Sequence, residues 1–366
     1  MDSRFLLAIK QWNNGQQVYI LAFVGTENEK DMKANLKVEK AYFAGSNLEE
    51  FAANADKHEI PPTEPKVHRG FHEFVQNALT AKGQDVDGKA KYLTEMLLAD
   101  KERKVLLVGH SRGGAAAILT GARLISMGVR PEQIEIITFG APAVGNEAFA
   151  GRFEPVLNLT RVVLFGDPVT GVLQTMVGGY KQFGHQLTWE SPATVNFPHE
   201  MTAYADVAIK NYYNERERAV QAGLIRLPST KAGLGESKGK VCVAPLINNL
   251  PDYLAKEFPY LREIFFDEYR EILPEYVFAG DSDVGRLRKK AREAGCKWLI
   301  VSEVSGYRLK EERNAYNISL FQAVYDVNTG AIIKATDFST GTYNLTPVEA
   351  FIHITKDMSY DWLVKR

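Results

Sequence analysis

The chain has 366 residues, 45% of them apolar, enough for two packed domains or for one large α/β domain with additions. Its 45 acidic and 44 basic residues nearly cancel, so no global field draws nucleic acid or a membrane surface. No stretch reaches the ~18 apolar residues of a transmembrane helix. The two cysteines, Cys242 and Cys296, form neither a disulfide framework nor a metal site, and read as buried thiols.

Met1-Asp2-Ser3-Arg4 leads straight into strand-like sequence without a signal peptide, so either the protein is cytoplasmic or an export segment was removed. Phe5 to Trp12 and Gln17 to Phe23 are β-rich runs joined through Asn13-Asn14-Gly15, a hairpin signal. Val38 to Phe43 is a short strand, followed by a polar, proline-bearing loop from Gly45 to Pro65. Phe71 to Leu98 reads as helix, broken near Gly83 and Gly88. Val105 to Val108, Ile134 to Phe139 and Arg161 to Phe165 are apolar strands, and a helix follows the first of them. His199 to Gln221 reads as a closing helix. Alternating strands and helices predict an α/β layer fold with a largely parallel sheet.

Ser229 to Lys240 has too little apolar content to pack and reads as a linker. Beyond it come a strand at Val241 to Pro245 and an amphipathic helix at Val284 to Ala294. Strands follow at Lys297 to Leu309, Asn317 to Val327 and Ala331 to Ser339, and then a helix at Pro347 to Val364. The expected organisation is an α/β domain over residues 1–228, a linker over 229–239, and an α+β domain with a mostly antiparallel sheet over 240–366.

Chemistry is concentrated in the first domain. Gly109-His110-Ser111-Arg112-Gly113-Gly114 sits between the strand at 105–108 and the helix that opens with Ala115. A G-x-S-x-G turn in that setting is a nucleophile elbow, whose glycines let strand and helix approach where a Cβ would collide. A serine hydroxyl needs a base, and the base needs an acceptor that fixes its tautomer. Gly166-Asp167-Pro168 comes off the C-terminal end of the strand at 161–165, the edge where catalytic groups of parallel sheets gather, so Asp167 is the candidate acid. Two of the seven histidines are plausible bases. His199 lies on a loop entering a helix and is favoured by position, while His185 lies in strand-like sequence and remains the alternative.

These residues resemble the class 3 lipases, the fungal triacylglycerol lipase type, over roughly Gln17 to Tyr213. Phe23-Val24-Gly25-Thr26 looks like that family's F-R-G-[ST], with Val24 for arginine. Asp31 to Leu36 resembles D-W-x-x-[ND]-L, with Met32 for tryptophan. Val67-His68-Arg69-Gly70-Phe71 matches V-H-x-G-F, and the elbow matches G-H-S-L-G-G with Arg112 for leucine. Thr138 to Pro142 with Val144-Gly145-Asn146 looks like [TS]-[FY]-G-x-P-x-V-G-[ND]. The resemblance implies an α/β-hydrolase fold and a carboxylic ester hydrolase that needs no metal or cofactor. It selects His199, because His199 to Tyr204 is similar to the family's terminal H-x-x-x-Y segment. It also implies an oxyanion hole from the N–H groups of Arg112 and Thr26.

The family's lid region is here charged from Glu27 to Lys40, leaving Met32, Leu36 and Val38 as a thin apolar stripe ill suited to interfacial activation. An acyl groove is expected from Met32, Leu36, Leu173, Met176 and Val177, with Gly178-Gly179 as a hinge. The expected substrate is a short- or medium-chain ester or a single-chain lipid. A phospholipase or thioesterase of the same mechanism, and a catalytically silent scaffold, are the alternatives. Arg112 either pairs with an anionic group near the site or packs its stem in the elbow.

The second domain holds no nucleophile–base pair. Its basic helix face, with Arg286, Arg288, Lys289, Lys290 and Arg292, reads as solvated. The strand at Gly295 to Ser302 and the turn at Asp326 to Gly330 resemble the N-terminal domain of TolB and LpoB-type envelope lipoproteins. That resemblance implies a binding or targeting module with an envelope or protein partner, and a bacterial, extracytoplasmic home.

Overall fold

The computed structural model describes residues 5–11, 17–25, 39–79, 82–84, 89–195, 197–227, 240–272, 283–309 and 314–364. The hairpin turn at 13–15, nearly all of the charged segment after Gly25, and the linker at 229–239 lie outside the described residues. The chain divides into two compact units, residues 1–191 with 197–201, and residues 192–196 with 202–366.

In the first unit a six-stranded sheet has the order β1 (Phe5–Gln11), β2 (Gln17–Phe23), β7 (Lys104–His110), β8 (Ile134–Phe139), β9 (Asn158–Leu164) and β10 (His185–Trp189). β1 runs antiparallel to β2 and every other neighbouring pair is parallel. This is the α/β-hydrolase arrangement, with an antiparallel edge hairpin on a parallel sheet. The register aligns Phe23 with Gly109 and Gly109 with Thr138, so β2, β7 and β8 end together at one edge.

Between β2 and β7 come β3 (Lys40–Tyr42), α1 (Leu48–Ala55), β4 (Lys66–His68), α2 (Arg69–Ala78), β5 (Lys82–Gln84), β6 (Ala90–Tyr92) and α3 (Leu93–Ala99). The single broken helix expected over 71–98 is thus two helices separated by a small strand pair, β5 with β6. Gly83, a poor helix former, lies in β5, and Gly88 lies outside the described residues.

α4 (Arg112–Ser126) lies against β7 and β8. Its Ala115, Ala116 and Ala117 are fully buried, and a Cβ on Gly121 would sit 2.5 Å from Ile136 Cδ1, so small residues set the close approach. Leu107 and Ile136 from the sheet and Ile118 and Leu119 from the helix form the core, each buried side chain contributing about 1.5–3 kcal/mol. An aromatic group joins it, with Phe43 packing on Phe149 and on Phe153 edge-to-face at 5.0 and 5.5 Å. Asn146 caps α5 (Glu147–Phe153), its Oδ1 accepting from Phe149 N at 3.0 Å and from Lys66 N at 2.9 Å. That satisfied network accounts for the asparagine of the Val-Gly-Asn motif in structural terms.

α6 (Val169–Val172) follows β9 in the first unit, and the second unit contains α7 (Met201–Gln221), apart from its first residue. The boundary expected at 228 therefore moves to about 201. Ile209 and Tyr213 pack on the second unit's core. Lys210 bridges Asp206 and Glu257 at 2.7 Å each, and Arg216 pairs with Glu263 and Asp267. An amphipathic sequence states that a helix has a buried face, but not which core receives it.

The second sheet orders β11 (Lys240–Val243), β13 (Cys296–Arg308), β14 (Tyr316–Asp326) and β15 (Ile332–Gly341), with β12 (Ile247–Asn249) also on β13. β14 runs antiparallel to both β13 and β15, while β11 and β12 run parallel to β13. α8 (Phe258–Ile272) and α10 (Pro347–Val364) pack together, with Phe265, Phe351 and Ile354 joining Val243, Ile300, Val304 and Leu320 in one core. α9 (Val284–Glu293) sets Leu287 and Ala291 with Cys242, Cys296, Leu299 and Val327 in another. Both cysteines are buried and in no disulfide. Among the described residues no helix is long and apolar enough to cross a membrane.

Candidate active site

The site stands on the shared edge of β2, β7, β8 and β9. Ser111 follows β7 and precedes α4, with φ 56° and ψ −126°. A left-handed φ on a serine is strained by about 1–3 kcal/mol and persists only where surrounding packing dictates it. Here the packing is explicit. A Cβ on Gly109 would lie 2.2 Å from Gly113 C, and one on Gly113 would lie 2.3 Å from Phe23 O. Strand, elbow and helix close only with glycine at both places.

His199 Nε2 is 2.9 Å from Ser111 Oγ, and His199 Nδ1 is 2.8 Å from Asp167 Oδ2. All three residues are buried. Asp167 is fixed by a second bond, its Oδ1 accepting from Val169 N at 2.9 Å. Gly166, with φ 83°, turns the chain off β9 so that the carboxylate faces inward. His199 sits on the turn before α7, where Glu200 N donates to Phe197 O at 3.0 Å. With the carboxylate accepting from Nδ1–H, Nε2 is left as the acceptor facing the serine hydroxyl.

His185 is elsewhere. It opens β10 opposite Thr160, four residues below the Trp189–Leu164 pair that marks the catalytic edge, or about 13 Å along the strand. Between the two histidines, the geometry brings His199 to the serine.

His110 was not singled out from sequence. Its ring lies 4.8 Å from the His199 ring, tilted by 34°, and its Nε2 is 2.9 Å from the His199 carbonyl oxygen. Burial, reinforced by the neighbouring His199, lowers its pKa to about 4, so at neutral pH it is uncharged and its Nε2–H donates to that carbonyl. The elbow strand thereby grips the backbone of the base. The only sequence signal is its place between Gly109 and Ser111, because its partner is a carbonyl rather than a side chain.

Arg112 opens α4, which puts its backbone N–H at a helix N-terminus beside Ser111. Its guanidinium lies over the Phe74 ring at 4.9 Å, so the stem packs against α2. Thr26 lies outside the described residues. Gly25 before it abuts the elbow, since a Cβ there would be 2.8 Å from His110 O and 3.6 Å from Ser111 Cβ.

Of the expected groove residues, Met32 and Leu36 lie outside the described residues. Leu173 is part of the buried core, and Val177 is partly buried against that core. Met176 lies on the same helical turn, and its side chain is outside the description. Gly178 and Gly179, with φ 74° and 69°, follow directly. Among the described residues no group of three or more His, Cys, Asp or Glu is placed to hold a metal ion.

Ser111 and Asp167 lie within a stretch that is similar to a known family. Residues 20–176 match the lipase (class 3) family. A lipase of Rhizopus oryzae is 39% identical over 87 residues, covering 23% of this chain and 20% of that protein. A chloroplastic/mitochondrial phospholipase A1 of Oryza sativa subsp. indica is 30% identical over 171 residues, covering 43% of this chain and 36% of that protein. The solved lipase II of Rhizopus niveus covers 51% of this chain and 66% of its own, at 22% identity and a TM-score of 0.36. The chain thus spans between a fifth and two fifths of the length of the curated relatives named here. The class 3 lipase match falls within the first unit. These relatives are fungal and plant proteins and lend no support to a bacterial envelope home.

Proposed function

We propose that the first unit is a serine ester hydrolase of class 3 lipase type. The observation that carries this is the pair of contacts at His199, to Ser111 at 2.9 Å and to Asp167 at 2.8 Å. Ser111 Oγ attacks the ester carbonyl as His199 Nε2 takes its proton, and the imidazolium forms against the Asp167 carboxylate. Charge on the tetrahedral intermediate meets the Arg112 N–H at the head of α4 and, by family resemblance, the N–H of Thr26; one such donor is worth about 3 kcal/mol. His199 then protonates the departing alkoxide, and water releases the acyl group by the same steps in reverse roles.

The proposed substrates are carboxylic esters with lipid-like or short- to medium-chain acyl groups. The likeness to a rice phospholipase A1 supports a phospholipid ester as the second reading. Both are tested by hydrolysis of p-nitrophenyl esters from acetyl to palmitoyl and by fatty-acid release from phosphatidylcholine, with Ser111→Ala and His199→Ala alongside. Activity lost in both variants is the expected result, and the ester that turns over fastest selects the reading. Absence of hydrolysis together with absence of fluorophosphonate labelling at Ser111 would leave the unit a silent scaffold.

A further inference from the structure

The tip of the β14–β15 hairpin has chemistry that neither core uses. Its turn is tightly held, with Asp326 Oδ1 accepting from Asn328 N at 3.0 Å and from Thr329 N at 2.7 Å. Directly after it Ile332 and Ile333 are 57% and 56% exposed. Successive residues of a strand point to opposite faces, so two adjacent exposed isoleucines serve neither side of the sheet. The ladder explains how they arise. Val324 pairs with Lys334 but Tyr325 pairs with Ile332, which leaves Ile333 as the extra residue of a bulge on an edge strand.

Cations are held at the turn that precedes this pair. On α9, Arg292 donates to the carbonyls of Val327 and Asn328 at 3.1 and 3.3 Å. One turn earlier, Arg288 packs on Gly330 so closely that a Cβ there would be 2.0 Å from its Nη1. Lys289 is exposed beside Arg288, and Lys297 is exposed where its carbonyl accepts from Val327 N at 2.9 Å. Lys334 follows the isoleucines. Of the nearby acids, Asp326 is engaged by its own turn, Asp283 pairs with Arg286 at 3.3 Å, and Glu293 ends α9. The basic face expected to be merely solvated is therefore anchored in part to an apolar tip.

Exposed branched aliphatic side chains beside a turn that carries two arginines, with exposed lysines near it, match the chemistry of an anionic lipid surface, where apolar groups enter the acyl boundary and Lys or Arg meet phosphates. We propose that the β14–β15 tip and α9 dock the second unit on an anionic phospholipid bilayer. Ile332 and Ile333 insert, while Arg288, Lys289, Arg292 and Lys297 contact the headgroups. This is independent of the chemistry at Ser111.

The test is co-sedimentation of the full chain with vesicles of phosphatidylcholine alone and of phosphatidylcholine with phosphatidylglycerol in equal parts. Binding is expected to the mixed vesicles and to weaken in high salt. Lys289→Glu with Lys297→Glu should weaken it by at least about fivefold per cation removed. Ile332→Ser with Ile333→Ser should weaken it about tenfold per isoleucine. Unchanged thermal unfolding and unchanged hydrolysis of a soluble ester would accompany both losses. Failure of the parent chain to bind anionic vesicles, or binding retained in both double variants, would overturn the proposal. So would a dimer in solution that the serine double variant dissociates, which would assign the isoleucines to an interface between copies.

Discussion

Replacing Asp167 by asparagine tests the proposed mechanism at its most constrained point. The side chain is fully buried, with one oxygen accepting from Val169 N at 2.9 Å and the other from His199 Nδ1 at 2.8 Å. An asparagine keeps the Val169 bond only with its oxygen there, which aims its NH2 at Nδ1. His199 must then carry its proton on Nε2 and donate toward Ser111, where it cannot act as a base. Turning the amide over restores the productive tautomer but sets two donors face to face, at a cost of about 1–3 kcal/mol. The carboxylate that stabilises the imidazolium is also gone. Together these losses amount to about 5 kcal/mol, or a fall in kcat of about 10⁴. Turnover of p-nitrophenyl butyrate and the rate of fluorophosphonate labelling measure it, with circular dichroism to establish folding. Asp167→Ala, which leaves the tautomer free, should be no less active than the asparagine variant. A folded Asp167→Asn enzyme within about tenfold of the parent would refute the assignment of Asp167 as the partner of the base.

Other consequences are as direct. His110→Phe keeps a ring beside His199 but removes the donor, so kcat should fall roughly 10- to 100-fold with KM little changed, as expected for a positioning group. His110→Asn, which restores an N–H, should recover part of that loss, and equal kinetics for the two would rule out the clamp. Gly113→Ala places a methyl 2.3 Å from Phe23 O, and the strand end must yield; we expect loss of labelling at Ser111 and about 1–3 kcal/mol of destabilisation in a urea titration. Burial lowers the pKa of His68 to about 4, of His72 to about 3 and of His110 to about 4, from 6.5. Below pH 6.5 the unfolded chain binds protons that the native unit refuses, so stability is complete above that pH and declines as pH falls toward 4. The slope is roughly 1 kcal/mol per pH unit for each histidine, and urea midpoints at successive pH values that stay flat between 7.5 and 5 would contradict their burial as neutral groups.

Much of the site was legible because its chemistry is local. Gly109, Ser111 and Gly113 specify the elbow within five residues, since a Cβ at either glycine would collide with the backbone packed against it. Asp167 was legible from its place at the end of an apolar strand, because parallel sheets collect reactive groups at that edge. Choosing His199 over His185 required the family resemblance, as both sit among apolar neighbours and only register puts His185 far down its strand. His110 escaped because its bond is to a backbone carbonyl.

The second unit divides the same way. Its hairpin, its terminal helix and α9 were set by alternation, turn residues and amphipathic spacing, all properties of short segments. No local pattern marks β12 or α8, and α7 packs on the second core. By itself, then, the chain determined the kind of each strongly patterned element and the candidate nucleophile and acid, because local backbone sterics and hydrophobic period act within a few residues. The receiving core for each buried face, the bond from His110 to the His199 carbonyl and the exposure of Ile332 and Ile333 were decided only by the tertiary structure. Those depend on strand register and long-range packing, which no local pattern encodes.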